Sequence, residues 1–216
     1  MKYYSILFCF LLIGSQAFAQ NDPAAKKILD QMKSDFDSHQ STEIDFALII
    51  EIPEQAAETQ NGSIIQSGDK YQINLDQQSI YCDGTSVWIH LKDNNEVQIT
   101  DYDGDDSGEI LSPRDIMKVY ESGEYEYVLM GEFKEGGKPV KQIEFIPKDK
   151  DSEYFKMRMT IHTKSNQLKR VKVFAKDGSR FTMEVNNISF DKKYEASTFT
   201  FDASKFPGVH MEDLRF

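Results

Sequence analysis

The sequence predicts a mainly β fold of the α+β kind, an antiparallel sheet curved strongly enough to take short helices against its concave apolar face. Three observations predict it. From Thr42 onward, apolar and polar residues alternate with a period of two over many short runs, which is the signature of strands with one buried face. The runs recur at a spacing of roughly ten residues and are separated by turn sequences such as Asp83-Gly84, Asp93-Asn94-Asn95, Ser165-Asn166 and Asp177-Gly178, so consecutive strands are hairpin neighbours in a meander. Two segments, and no more, carry helical spacing, and a large apolar sheet face has nothing else to pack on.

Taken in order, the first nineteen residues read as a signal peptide. Lys2 gives a positive start, Ile6 to Ile13 is an apolar run, and Ala17-Phe18-Ala19 offers the small-x-small pattern of a cleavage site. The run falls short of the roughly 20 apolar residues that span a bilayer. A lipid anchor needs a cysteine directly after the cut, where this chain has Gln20. The expected mature chain is therefore a single exported domain, residues 20–216, with no linker and no repeat to divide it.

Pro23 to Asp37 predicts a helix. Asp22 is placed as its cap, Pro23 suits its first position, and Ile28, Leu29, Met32 and Phe36 recur at three-four spacing. Ile44, Phe46, Leu48, Ile50 and Ile52 then form the apolar face of a long strand, and Tyr71, Ile73 and Leu75 that of another. Strands follow at 79–82, 85–91 and 96–100, and after an interruption at 125–133, 140–147, 155–163, 168–175 and 180–190. The interruption is an acidic, glycine-containing loop from Asp101 to Glu109 and a short helix from Ser112 to Tyr120, whose Ile116, Met117, Val119 and Tyr120 leave one side apolar. A curved sheet around so few helical residues leaves space inside, and Ile44, Phe46, Leu48, Ile50, Ile73 and Leu75 are expected to line it, with Asp45, Glu51, Gln72 and Asn74 outward. Trp88, the single tryptophan, is a further candidate for contact with an amphiphilic ligand, its other role being sheet packing.

Composition narrows the function. With 25 Lys and Arg against 36 Asp and Glu the net charge is −11, which argues against nucleic acid and against loose attachment to anionic membrane. Cys9 lies inside the apolar leader, so Cys82 alone remains in the mature chain, which leaves no internal disulfide. The acidic run Asp101-Tyr102-Asp103-Gly104-Asp105-Asp106 lacks the glycine and glutamate positions of a calcium loop. His39, His90, His162 and His210 have no metal-ligand spacing, and no nucleophile elbow or phosphate loop is present. No catalytic residue, metal or cofactor is expected from these patterns.

Read in order, these segments resemble the LolA family of periplasmic lipoprotein carriers. The opening helix and Thr42-Glu43-Ile44-Asp45-Phe46 are similar to the family's first helix and strand, and Gly62-Ser63-Ile64-Ile65 to the start of its next strand. Cys82-Asp83-Gly84-Thr85-Ser86-Val87-Trp88-Ile89 resembles a more specific segment, Asp115 to Tyr120 lies where the family has an apolar lid helix, and Phe199-Thr200-Phe201 through Pro207-Gly208-Val209 to Asp213 resembles its close. The resemblance implies an unclosed β-barrel of about a dozen antiparallel strands whose concave apolar surface is covered by helices. It implies a monomeric carrier that takes lipidated proteins by their acyl chains from an inner-membrane release complex to the outer membrane or a receptor there. It departs at Gln66-Ser67-Gly68-Asp69-Lys70, where many members carry an arginine that bonds the lid shut. Two other functions fit the same residues, an open-barrel module for another amphiphile and a hydrolase with a dispersed site. The identity of a bound lipid separates the first from a lipoprotein carrier, and sensitivity to one polar residue identifies the second.

Overall fold

Asp22 starts the first element and also ties it to the sheet. Its carboxylate accepts from Ala24 N at 2.8 Å as a helix cap and from Leu129 N at 3.0 Å. Pro23 fills the first helical position, and α1 (Pro23–Asp37) buries Ala25, Ile28, Leu29 and Met32 at the predicted spacing. Outward pairs Lys26–Asp30 and Lys33–Asp37, four residues apart, add the modest support usual for exposed helix pairs. The computed structural model describes residues 21–102, Ile116 and residues 119–215. The leader and the cut before Gln20 therefore lie outside the described residues.

The strands are β1 (Thr42–Glu51), β2 (Glu58–Ser67), β3 (Lys70–Asn74), β4 (Gln78–Cys82), β5 (Ser86–Leu91), β6 (Glu96–Asp101), β7 (Tyr125–Glu135), β8 (Lys138–Pro147), β9 (Tyr154–His162), β10 (Leu168–Ala175), β11 (Arg180–Phe190) and β12 (His210–Asp213). All belong to one curved sheet in the order β12-β6-β5-β4-β3-β2-β1-β11-β10-β9-β8-β7, with β12 and β7 as its outer strands among the described residues. The first six strands step away from β1 by hairpins. The chain then passes to the far edge, and β7 to β11 step back until β11 pairs with β1 in antiparallel register. Strand β12 adds in parallel to β6. The expected mainly β, unclosed sheet is therefore present. It has twelve strands among the described residues rather than the ten read from periodicity, because the polar β2 and the short β12 carry no clear alternation.

Helix α1 packs on the concave side of β7 to β10. There Ile28, Leu29 and Met32 join Tyr127, Ile143, Phe145, Met159, Ile161 and Val171 in one buried cluster, which also takes in Ile116 and Tyr120. A second cluster lies on the same face of β1 to β5 and contains no residue of α1. Met183 and Val185 of β11 touch both. The outer edge of β7 is partly blocked by the start of the helix, since Asp22 N donates to Tyr127 O at 3.2 Å and Tyr127 N to Asn21 Oδ1 at 3.2 Å. Such cover suppresses edge-to-edge association.

The convex face of β4 to β6 is covered by the chain that follows β11. Two 3-10 turns, Ala196–Phe199 and Ala203–Lys205, bring Phe201 and Phe206 against His90 with ring centroids 5.2 and 4.5 Å away. His90 is 2% exposed, and neither ring nitrogen has a hydrogen-bond partner. Burial, aided by the charge of Lys92, holds its pKa below the ordinary value.

As pH falls, then, the unfolded chain takes up this proton before the folded one does. The contribution of a neutral His90 is complete at neutral pH and is lost as pH drops below the unfolded value of about 6.5. Replacement by His90→Phe should leave a flatter profile. Between about pH 7.5 and pH 5.5, the urea midpoint of the unmodified protein should fall further than that of the variant, in which His162, also held low by burial, is unchanged. Equal falls would show that His90 takes no part.

Candidate functional site

Cross-strand register sets an unbroken apolar row along the concave face. Ile188 faces Ile44, Ile44 faces Ile64, Ile64 faces Ile73, Ile73 faces Ile80 and Ile80 faces Ile89. A second row runs through Leu129, Ile143, Met159, Val171, Met183 and Leu48 across the other half. β-branched residues suit such rows because neighbouring side chains interlock across a pleated surface. The second row, from Leu129 to Met183, lies in the cluster that includes α1. The isoleucine row begins where the helix ends.

That boundary is a crevice. It is lined by Met32, Asp35 and Phe36 of α1, Thr42 and Ile44 of β1, Ile188 and Phe190 of β11, Leu168 of β10 and the adjacent Asn166 and Gln167. Its empty volume, including the part open to solvent, is about 320 Å³, so it is a shallow opening rather than an enclosed cavity. The lining is apolar except at its rim. Such a surface suits taking an apolar chain out of water.

The two sides of the crevice are fixed differently. On the strand side, His39 stacks on Phe190 at 3.9 Å and its Nδ1 lies 2.8 Å from Asp191, whose carboxylate also accepts from Gln40 N at 2.8 Å. These two bonds, the His39 contact first, hold the Asp191 pKa below its ordinary value. Glu43 is bonded by Lys192 and by the Tyr194 hydroxyl, so the ends of β1 and β11 are locked together. The helix has further ties of its own. Tyr120 donates its hydroxyl to Asp30 at 2.9 Å, and Asp22 is bonded to β7. Burial, then the bond to Asp30, raises the Tyr120 pKa well above the usual phenol range, so it stays a donor.

The structure brings most of the expected lining together. Ile44, Phe46 and Ile73 are buried in the second cluster, with Leu48 and Leu75 packed against it. Ile50 lies further along the same face, half-buried and outside both clusters. The outward set agrees, since Glu51 pairs with Lys172 and Asn74 accepts from Ser79 on the convex side. Trp88 is a correction. Its neighbours Val87 and Ile89 both pack in the second cluster, so the pleat turns Trp88 to the opposite face, opposite Tyr81 and Ile99. It does not line the concave site. In the expected lid, Ile116 is helical and buried, Val119 packs beside it and Tyr120 is buried, while Met117 and the rest of that helix lie outside the described residues.

A family model whose description reads "uncharacterized protein" matches residues 75–189, from just after β3 to near the end of β11. The chain belongs to that family. No curated protein sequence matches it. Among solved structures, an uncharacterized conserved protein from Thermus thermophilus is 9% identical over 88% of this chain and 99% of its own, with a TM-score of 0.59, which shows a shared fold. Looser likenesses are a DUF1329 family protein from Desulfovibrio piger (15% identity, 87% of this chain, 100% of that one, TM-score 0.48) and a LolA superfamily protein from Nitrosomonas europaea (12%, 82%, 98%, 0.43).

Gly62 shows how closely the concave side is fitted. A Cβ there would come within 2.4 Å of Phe46 Cζ and 2.9 Å of Leu75 Cδ2, so the Phe46 ring lies on the bare backbone of β2. Gly62→Ala should displace that ring and destabilise the protein by about 1–3 kcal/mol, read from urea unfolding. An unchanged midpoint would mean that the face yields freely.

Proposed function

We propose that the chain is a non-enzymatic carrier of acylated amphiphiles, lipidated proteins foremost, working in the periplasm between an inner-membrane release complex and the outer membrane or a receptor there. The observation that carries this reading is the crevice, where an isoleucine row surfaces between the end of α1 and the locked ends of β1 and β11. The order of sequence segments resembling lipoprotein carriers supports it independently. Each methylene hidden from water contributes about 0.8 kcal/mol, so a lined groove is sufficient to hold a chain without any bond being made.

Release requires that the empty carrier also be stable, because a ligand shifts an equilibrium only through its differential affinity for the two states. The crevice is too shallow to hold an acyl chain as it stands, so loading needs the cover to move. Met32 and Phe36 border the crevice in the last turns of α1, just before His39 and Gln40 bond to Asp191, and the start of the helix is bonded to β7. Loading on this reading parts α1 from the sheet between its two tied ends, and Ile116 and Tyr120, packed on the same cluster, give way with it.

Mass spectrometry of the protein gently isolated from a bacterial envelope is the direct test. Acylated peptides or proteins in the bound fraction are expected, free phospholipid or fatty acid alone would point to a module for another amphiphile, and a protein that holds and binds no acyl compound would overturn the carrier. A variant tests the cover. Ile116→Asp should unseat it and raise binding of a hydrophobic dye several-fold while the β signal in circular dichroism persists. Cooperative unfolding instead would make Ile116 an ordinary core residue, as burial of an unpaired charge predicts.

A further inference from the structure

Gln66 is 6% exposed. Its amide nitrogen donates to the carbonyl of Gly68 at 3.3 Å, while its carbonyl oxygen, also buried, has no partner. The orientation is fixed by Gly68, since the reverse assignment would set one carbonyl oxygen against another. Gln66 alternates with Ile64 and lies opposite Thr42 on one side and Tyr71 on the other. It therefore belongs to the concave face, beside the crevice that Thr42 lines and against the cluster on which Tyr71 packs. The other buried side chains with an unpartnered atom among the described residues are placed elsewhere. His90, Arg158 and Thr182 alternate with inward residues and lie on the convex face, and Thr163 is in the turn after β9.

We infer that Gln66 reads a hydrogen-bond donor at the head of the bound amphiphile, so that the site favours acyl chains attached through an amide over the same chains attached through an ester. The inference rests on the carrier reading above. A buried acceptor with no donor costs stability, and a ligand that brings an N–H removes that cost on binding. An amide places its N–H directly beside the acyl carbonyl, whereas an ester has an oxygen there and leaves the Gln66 carbonyl unmet. In a featureless apolar groove the order reverses, because an amide is harder to take out of water than an ester. Preference for the amide is therefore diagnostic.

The test uses two probes that differ only in that atom, N-dodecanoylglycine methyl ester and methyl dodecanoyloxyacetate, competed against a fluorescent fatty acyl probe on the full mature chain. The unmodified protein should bind the amide about tenfold more tightly. Gln66→Leu should erase the difference, chiefly by weakening the amide, and Gln66→Met, of similar length, should do the same. Equal binding of both probes to the unmodified protein overturns the inference while leaving the carrier intact, and this comparison needs no variant to fold. A preference that survives in a folded Gln66→Leu protein also overturns it. Failure of both probes to bind at all would instead overturn the carrier reading.

Discussion

Ten residue pairs between β1 and β11, from Thr42 with Phe190 to Glu51 with Arg180, join two separate meanders into one sheet, and the candidate site exists because of that joint. Each meander alone is a hairpin array with one apolar face and two free edges. Paired through β1 and β11, they form a single concave surface. Met183 and Val185 touch both clusters, and Ile44 and Ile188 stand at the junction. One helix of fifteen residues packs on the half built from β7 to β10. The opening between helix and sheet follows from this mismatch of areas.

The outer surface obeys a different rule. Carboxylates and cations alternate across neighbouring strands there, as in Glu144 with Arg158 and Lys156, or Glu135 and Glu184 on either side of Arg170. Partly exposed pairs of this kind add little to stability. Their effect is on register, because a slip of one residue would turn the charges inward and the isoleucines outward. The aromatic cover over His90 is the exception, a small apolar layer on the convex side made by the last part of the chain.

Much of this was legible in the sequence, and the failures have physical causes. Alternation gave β1 and β3 their faces, and Asp22-Pro23 gave the start of α1. Strand β2 was obscured by its polar first half, in which Gly62 makes room for Phe46. The site residues Ile188 and Phe190 were hidden by a register shift in the β1–β11 pairing: inward positions run Met183, Val185 and then Ile188, breaking the period of two. Met32 and Phe36 were visible as a helical stripe, but only the fold shows which end of that stripe meets the crevice. Trp88 was misplaced because an aromatic beside two β-branched residues invites an inward assignment, whereas the hidden C-terminal cover made both faces of β5 apolar. Gln66 gave no signal, since its significance lies in a bond it does not make.

The strands that meet at the joint lie far apart along the chain, with Asp45 bonded to Asn187 across 142 residues, and the aromatic cover and β12 come later still. A ribosome must therefore deliver nearly the whole polypeptide before the central ladder can begin to zip. Closing so long a loop is slow compared with forming the hairpins on either side. During synthesis the chain exists as two unjoined halves, loose enough to be threaded through a narrow pore. For a polypeptide expected to leave the cytoplasm, this order of events makes late folding a property of the topology itself.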